Sequence, residues 1–174
     1  MRDRAEHVYT DTSIRAFTLA KEDMFLLKGV AGRGYDPEDM LTLIRTGLSF
    51  EIVRTELEQQ LPVNRGTVEA RQVLDYAHPL MTLEQTISRF DGLPSTFTDE
   101  VGRLADQAFT EREVLVALTD GERPIDDVCR EIVDKEQSVD DTDTVEAAID
   151  RLEEKQIVVR ERKRVSIAES VSIS

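Results

Sequence analysis

Four basic side chains fall within five positions near the end of the sequence: Arg160, Arg162, Lys163 and Arg164. Guanidinium and ammonium groups at this density suit contact with the phosphates of a nucleic-acid backbone. A basic turn that balances nearby acidic residues is the equally open alternative. Two further cations, Arg151 and Lys155, precede this turn. The candidate residues for DNA contact are therefore Arg151, Lys155, Arg160, Arg162, Lys163 and Arg164.

A second, weaker candidate is an anion site formed by Lys28 and Arg33. Three glycines between positions 29 and 34 would allow a phosphate to approach the backbone closely. No Gly-Lys-Ser or Gly-Lys-Thr sequence is present, which excludes a phosphate-binding P-loop. The alternative is structural: Lys28 and Arg33 would join helices through partly buried ion pairs with Asp36 and Asp39.

Residue types that carry other chemistry are isolated in the sequence. His7 and His78 have no cysteine or histidine at metal-ligand spacing, and Cys129 is the only cysteine, set among apolar neighbours. No nucleophile elbow is present. We therefore expect no catalytic residues, no metal and no cofactor, and a chain that is not an enzyme.

Acidic residues dominate the composition. The chain of 174 residues has 36 acidic side chains and 22 basic ones, for a net charge of −14. The acidic residues are spread evenly along the chain, which favours a halophilic protein from an organism that accumulates salt. In molar salt the Debye length is only about 3 Å, so repulsion between these carboxylates is screened. Such screening weakens the argument that an acidic chain cannot bind nucleic acid. No apolar run reaches the ~18 residues that span a bilayer, and no apolar signal-type run follows the start, so we expect a cytoplasmic protein.

The N-terminal two thirds read as mainly helical. β-Branched and aromatic residues favour a strand or hairpin at 8–17. Apolar periodicity, capping residues and breakers predict the helices that follow. They are placed at 21–31, 36–46, 49–62, 67–77, 80–90 and 97–108, with Pro79 at the junction of the fourth and fifth.

The last third predicts three helices and a hairpin. Thr110 and Glu113 have capping-box spacing, Pro124 opens a second helix, and Asp143 caps a third. Apolar residues at 157–159 and 165–167 then indicate two strands. This order describes a winged helix. The predicted fold class is mainly α with a small β-hairpin: a helical N-terminal unit plus a C-terminal winged helix.

The same region resembles the winged helix-turn-helix family. The resemblance rests on the helix exit formed by Ile149, Leu152, Glu153, Lys155, Ile157, Val158 and Arg160. It implies that the third helix enters the major groove while the wing touches the backbone or the minor groove. Residues 105–174 nevertheless carry 10 basic and 19 acidic side chains. Their net charge of −9 opposes phosphate contact, which leaves a protein partner as the rival interpretation.

Residues 21–44 resemble, more weakly, the closing segment of nucleotidyltransferase-superfamily domains. The resemblance rests on Glu22, Asp23, Lys28, Ala31, Gly32, Arg33, Asp36, Asp39 and Met40. Such enzymes hold magnesium and a nucleoside triphosphate with a Gly-Ser turn and strand carboxylates, which would lie before this segment. The resemblance therefore implies a remnant without catalysis.

These interpretations combine into one expected organisation. It has a nucleotidyltransferase-like helical remnant at 1–62, a helical connector at 63–104 and a winged helix-turn-helix at 105–174. The leading hypothesis is a non-catalytic DNA-binding regulator. The alternatives are a protein-interaction module that uses the acidic winged helix, and a nucleotidyltransferase-like subunit completed by another chain. The expected partners are DNA, a protein or a second copy of the chain, and no membrane.

Overall fold

The computed structural model describes residues 5–60, 70–136, 139 and 141–168. The chain is mostly helical with small antiparallel sheets, which confirms the predicted class of mainly α with a small β-hairpin. The elements in chain order are β1 (Glu6–Thr10), β2 (Arg15–Thr18), α1 (Lys21–Ala31), α2 (Asp36–Arg45), α3 (Phe50–Gln60), α4 (Ala70–Ile87), α5 (Ser95–Ala117), β3 (Arg123–Pro124), α6 (Ile125–Lys135), α7 (Thr142–Glu154), β4 (Val158–Glu161) and β5 (Arg164–Ile167).

Two compact units make up the fold. One takes the described residues up to Gln60 together with Thr82–Val101, and the other takes those of Leu61–Met81 and from Gly102 onward. The core of the first unit contains an aromatic cluster, in which the rings of Phe25, Phe50 and Phe97 lie 5.1–6.2 Å apart. The predicted boundaries at 62 and 104 stay a prediction.

The first four predicted elements are confirmed. The hairpin forms from β1 and β2, and α1 ends at Gly32, whose φ of 58° is the left-handed conformation that glycine adopts without strain. The hydroxyl of Ser49 accepts a hydrogen bond from the Ile52 amide at 3.4 Å and so caps α3 as predicted. The predicted break after position 62 and the predicted helix start at 67 lie outside the described residues.

Two predicted helix junctions are wrong. Pro79 lies inside α4 rather than between two helices. A proline costs a helix one backbone hydrogen bond, and this helix continues through it. Thr110 lies inside α5, where its hydroxyl donates to the Asp106 carbonyl at 2.9 Å instead of capping a new helix.

The second unit buries its core between helices and a three-stranded sheet. Val114, Leu118, Val128, Ile149 and Leu152 are fully buried or nearly so. The sheet order is β3-β5-β4, with all pairs antiparallel. The short strand β3 was not predicted, because two residues that include a proline carry no alternating pattern. It pairs Arg123 with Val165 and adds a third strand to the predicted hairpin.

Candidate functional site

The candidate site comprises α7, the turn between β4 and β5, and the groove between α6 and α7. The side chain of Asp141 starts α7, because its carboxylate accepts a hydrogen bond from the Thr144 amide at 2.8 Å. The cap was predicted two residues later, at Asp143. The Thr144 amide holds the pKa of Asp141 below its usual value.

The outward side of α7 is acidic. Its inner side, which includes Val145, Ile149 and Leu152, is buried in the core. Its exposed carboxylates are those of Asp143, Glu146, Asp150, Glu153 and Glu154. We call these five residues the acidic face. A helix docked on DNA needs the opposite charge where it meets the phosphates.

Both predicted DNA-contact residues near the end of α7 are directed to a buried carboxylate. Arg151 Nε lies 2.7 Å from Glu111 Oε1, and Lys155 Nζ lies 2.8 Å from Glu111 Oε2. The side chains of Glu111 and Lys155 are only 3% and 7% exposed. A buried carboxylate with two charged partners satisfies the conditions under which a buried ion pair persists. These two cations thus join α7 to α5.

The β4–β5 hairpin carries four cations, of which two form ion pairs and two do not, among the described residues. Arg160 donates to Asp150, and its Nε lies 3.5 Å from Glu153, so it covers part of the acidic face. Arg164 Nε lies 2.6 Å from Glu122. Arg162 and Lys163 are exposed at the turn and form no ion pair with the described residues. Arg162 adopts a φ of 57° there.

A shallow groove of about 270 Å³ separates α6 from α7. Its lining residues are Asp126, Cys129, Arg130, Val133, Asp134, Thr142 and Glu146. Burial, together with the nearby carboxylates of Glu146 and Asp126, raises the pKa of Cys129 to about 11. The thiol therefore stays protonated at neutral pH and is not a nucleophile. The groove offers a small apolar floor between carboxylates.

Lys28 and Arg33, the two residues of the predicted anion site, have different surroundings in the structure. Lys28 Nζ lies 2.5 Å from Asp39 and 3.4 Å from Asp36, and its hydrogen bond to Asp39 is the main cause of its raised pKa. Asp36 also accepts from the Arg33 amide at 2.9 Å, whereas the Arg33 side chain is exposed. Lys28 thus joins α1 to α2 as the structural alternative expected, whereas Arg33 contacts Asp36 through its backbone amide and not through a side-chain ion pair. The anion site remains a prediction.

The glycines of this stretch are explained largely without a ligand. A Cβ atom on Gly29 would lie 2.3 Å from Leu83 Cδ1, so any larger residue would have to displace this buried side chain. Gly32 is required by its positive φ. Only Gly34 faces open space within this stretch.

Sequence reasoning missed the buried carboxylates of α5. Glu111 anchors α7, and Glu113 Oε2 lies 3.1 Å from Lys135 Nζ of α6 while Arg112 donates to its other oxygen. A glutamate that lies among apolar helix positions was the available signal. It was obscured because Glu113 was assigned to a capping box.

Within the described ranges, no group of three or more histidine, cysteine, aspartate or glutamate side chains is arranged to hold a metal ion. None of the helices in the described ranges has the length and apolar character needed to cross a membrane. Comparison with known proteins yields no matching family model, no matching curated protein and no matching solved structure.

Proposed function

We propose that the C-terminal unit is a winged-helix module that binds a basic segment of a protein partner through the acidic face of α7. The order α5, β3, α6, α7, β4, β5 and the sheet order β3-β5-β4 support the winged-helix assignment. In this arrangement α7 takes the position of the third helix, and the turn at Arg162 and Lys163 takes that of the wing.

The observation that carries the proposal is the charge of the third helix. All five of its acidic side chains are exposed, and both of its terminal cations are bound to Glu111. Phosphates would be repelled from such a surface, whereas lysine and arginine side chains of a protein would be attracted to it and guided during association. The same charge that disfavours DNA therefore favours a cationic protein.

The groove beside the acidic face gives the partner a place for an apolar side chain. Cys129 and Val133 line it, together with the carboxylates of Asp126, Asp134 and Glu146 and one cation, Arg130. An apolar contact with a polar and charged rim is the usual anatomy of a protein–protein interface. The partner segment we propose therefore combines several cations with one small or medium apolar residue.

Charge neutralisation combined with affinity purification tests this function. The full chain, tagged, is used to isolate stoichiometric partners from native extract. The variant Asp143→Asn, Glu146→Gln, Asp150→Asn should lose the partner. A matched variant in the first unit, Glu38→Gln, Glu51→Gln, Asp91→Asn, removes the same charge at exposed positions and should retain it. Equal recovery by both variants would contradict the proposal.

A second candidate function is contact of the β4–β5 turn with the backbone of duplex DNA. The observation that favours it is the pair of exposed cations Arg162 and Lys163, which have no ion-pair partner among the described residues. Two such cations neutralise about two phosphates, so affinity would fall with salt at a slope of about −2 on logarithmic axes. This binding would be weak and independent of sequence.

A titration of duplex DNA at several salt concentrations separates the two functions. If the turn binds DNA, Arg162→Gln with Lys163→Gln should remove most of the salt-dependent affinity. The acidic-face variant should then bind DNA more tightly than the unaltered chain, because repulsion is relieved. Affinity that is unchanged after neutralising Arg160, Arg162, Lys163 and Arg164 would contradict a role of the turn in DNA binding.

A further inference from the structure

The carboxylates of the acidic face follow one another along α7 at helical spacing. From Asp143 to Glu153 they stand three or four positions apart, and Glu154 lies beside the last of them, so neighbours are within about one turn. Asp150 is the middle member, with Glu146 one turn before it. The acidic face is therefore one continuous stripe, and a partner that follows it along the helix must pass over Asp150.

One cation of the chain already lies at the middle of this stripe. Arg160, on β4, donates from its guanidinium Nη2 to Asp150, and its Nε lies 3.5 Å from Glu153 Oε2. The other three carboxylates of the acidic face form no ion pair with the described residues. In the free chain the stripe is thus occupied at its centre and open elsewhere.

The ion pairs of Arg160 differ from those that fix the end of α7. Arg151 and Lys155 are held by Glu111, whose side chain is 3% exposed. The two carboxylates that bind Arg160 are 61% and 43% exposed. Ion pairs between exposed groups are weak, because water competes with both partners. Arg160 can therefore leave its carboxylates at little cost, whereas Arg151 and Lys155 cannot leave a buried one.

The guanidinium of Arg160 is also incompletely satisfied. Its Nε is buried and donates no hydrogen bond among the described residues. A buried N–H without an acceptor is unfavourable. The sheet fixes the backbone of Arg160 opposite Val165, which limits how the side chain can approach α7. A guanidinium on a separate chain has no such constraint and can bond more fully to the same two carboxylates.

From these contacts we infer that Arg160 is an internal competitor for the acidic face, an inference that rests on the proposed function. It occupies the place of an arginine of the partner, and the partner must displace it to follow the whole stripe. The partner residue is an arginine rather than a lysine, because a planar guanidinium reaches two carboxylates at once, as Arg160 does. The chain thus restricts its acidic face to segments that carry an arginine at the centre and further cations beside it.

Titration of a basic peptide tests the competition. The probe is a fluorescein-labelled peptide with one central arginine, one leucine and several lysines, and its anisotropy is followed as the full chain is added at low salt. Arg160→Gln should bind it about threefold to fivefold more tightly than the unaltered chain, because no exposed ion pair has to be broken first. The matched control Arg162→Gln removes the same charge from the adjoining turn and should change the affinity less than about twofold. A peptide with lysine in place of the arginine should bind the unaltered chain at least about threefold more weakly.

The outcomes separate failure of this inference from failure of the proposed function. If Arg160→Gln binds the peptide no more tightly than Arg162→Gln, or if the lysine peptide binds as well as the arginine peptide, the inference is overturned. Loss of binding in the variant Asp143→Asn, Glu146→Gln, Asp150→Asn would still support the proposed function in that case. A peptide that fails to bind the unaltered chain, or that binds this variant equally well, would overturn both.

Nuclear magnetic resonance of the arginine Nε–H groups measures the displacement itself. The Nε–H of Arg160 is buried in the free chain, so saturating peptide should shift its signal and accelerate its exchange with water. The Nε–H of Arg151, which lies 2.7 Å from Glu111 Oε1, is the internal control and should keep both its signal and its exchange rate. An Arg160 signal that stays unchanged at saturation would overturn the inference.

Discussion

The two hairpins of this chain have similar lengths and different surroundings. β4–β5 buries Val158 and Val165 in a core and gains the third strand β3, whereas β1–β2 buries no large side chain and pairs with no further strand among the described residues. Both hairpins were predicted from β-branched residues, which indicate that a segment favours a β-strand. The difference teaches that local pattern specifies a hairpin, while its stability depends on what packs against it.

The largest effect should come from the carboxylate that fixes α7, the helix preceding the packed hairpin. Glu111→Gln leaves Lys155 buried without its counter-ion, so the free energy of unfolding of the second unit should fall by about 3–5 kcal/mol. Urea unfolding followed by circular dichroism measures it. The control Glu154→Gln, on the exposed side of α7, should stay within about 0.5 kcal/mol of the unaltered chain. Equal stability of the two variants would refute the anchoring role of Glu111.

A matched pair of valines tests the contrast between the hairpins directly. Val165→Ala removes a fully buried side chain of β5 and should lower the free energy of unfolding by about 2 kcal/mol. Val8→Ala, in β1, should change it by less than about 0.5 kcal/mol. Chemical denaturation measures the free energy of unfolding of both variants. A comparable loss for Val8→Ala would show that the first hairpin is packed after all.

The cap of α7 should give a smaller effect that depends on pH. Because the Thr144 amide lowers the pKa of Asp141, its carboxylate adds stability above the usual pKa near 3.8. That stability is lost as the pH falls through the lower folded-state value. Asp141→Ala should reduce the midpoint of thermal unfolding by a few degrees at pH 7, and the difference should vanish in strong acid. A difference that persists unchanged at low pH would exclude the carboxylate as its cause.

The smallest effect should come from the ion pairs of Arg160 with the acidic face. Arg160→Gln should cost less than about 1 kcal/mol at low salt and almost nothing in molar salt, because exposed charges are screened. Arg162→Gln, which removes a cation with no ion-pair partner in the described ranges, is the control and should have no effect on stability. Salt-independent destabilisation by Arg160→Gln would assign it a packing role instead.

The sequence predicted elements better than it predicted junctions. Apolar periodicity placed α1 and α6, glycines placed the end of α1 and Pro124 placed the start of α6, because these signals are local. The continuity of α4 through Pro79 and of α5 through Thr110 could not be derived in this way. In each case buried residues flank the position, Ala77 and Leu80 in α4 and Ala105 and Val114 in α5, and their packing outweighs a local preference to end the helix. Such packing is not visible in a residue's neighbours along the chain.

The sequence predicted which residues form the candidate site, and the structure shows which carboxylates pair with them. Six cations were identified from type and spacing alone. That Arg151 and Lys155 bind Glu111, and that Arg164 binds Glu122, depends on contacts between positions about 40 residues apart. A count of charges cannot show such pairing. The net negative charge of the last third was the one sequence signal that pointed toward the acidic face.

Backbone hydrogen exchange on the complex recovered by the tagged full chain tests most directly whether α7 contacts a protein. Compared with the free chain, the complex should show slower exchange across α7 and the adjoining part of α6, and it should contain protein without nucleic acid. Slower exchange confined to the β4–β5 turn, in a complex that contains nucleic acid, would contradict the proposed function.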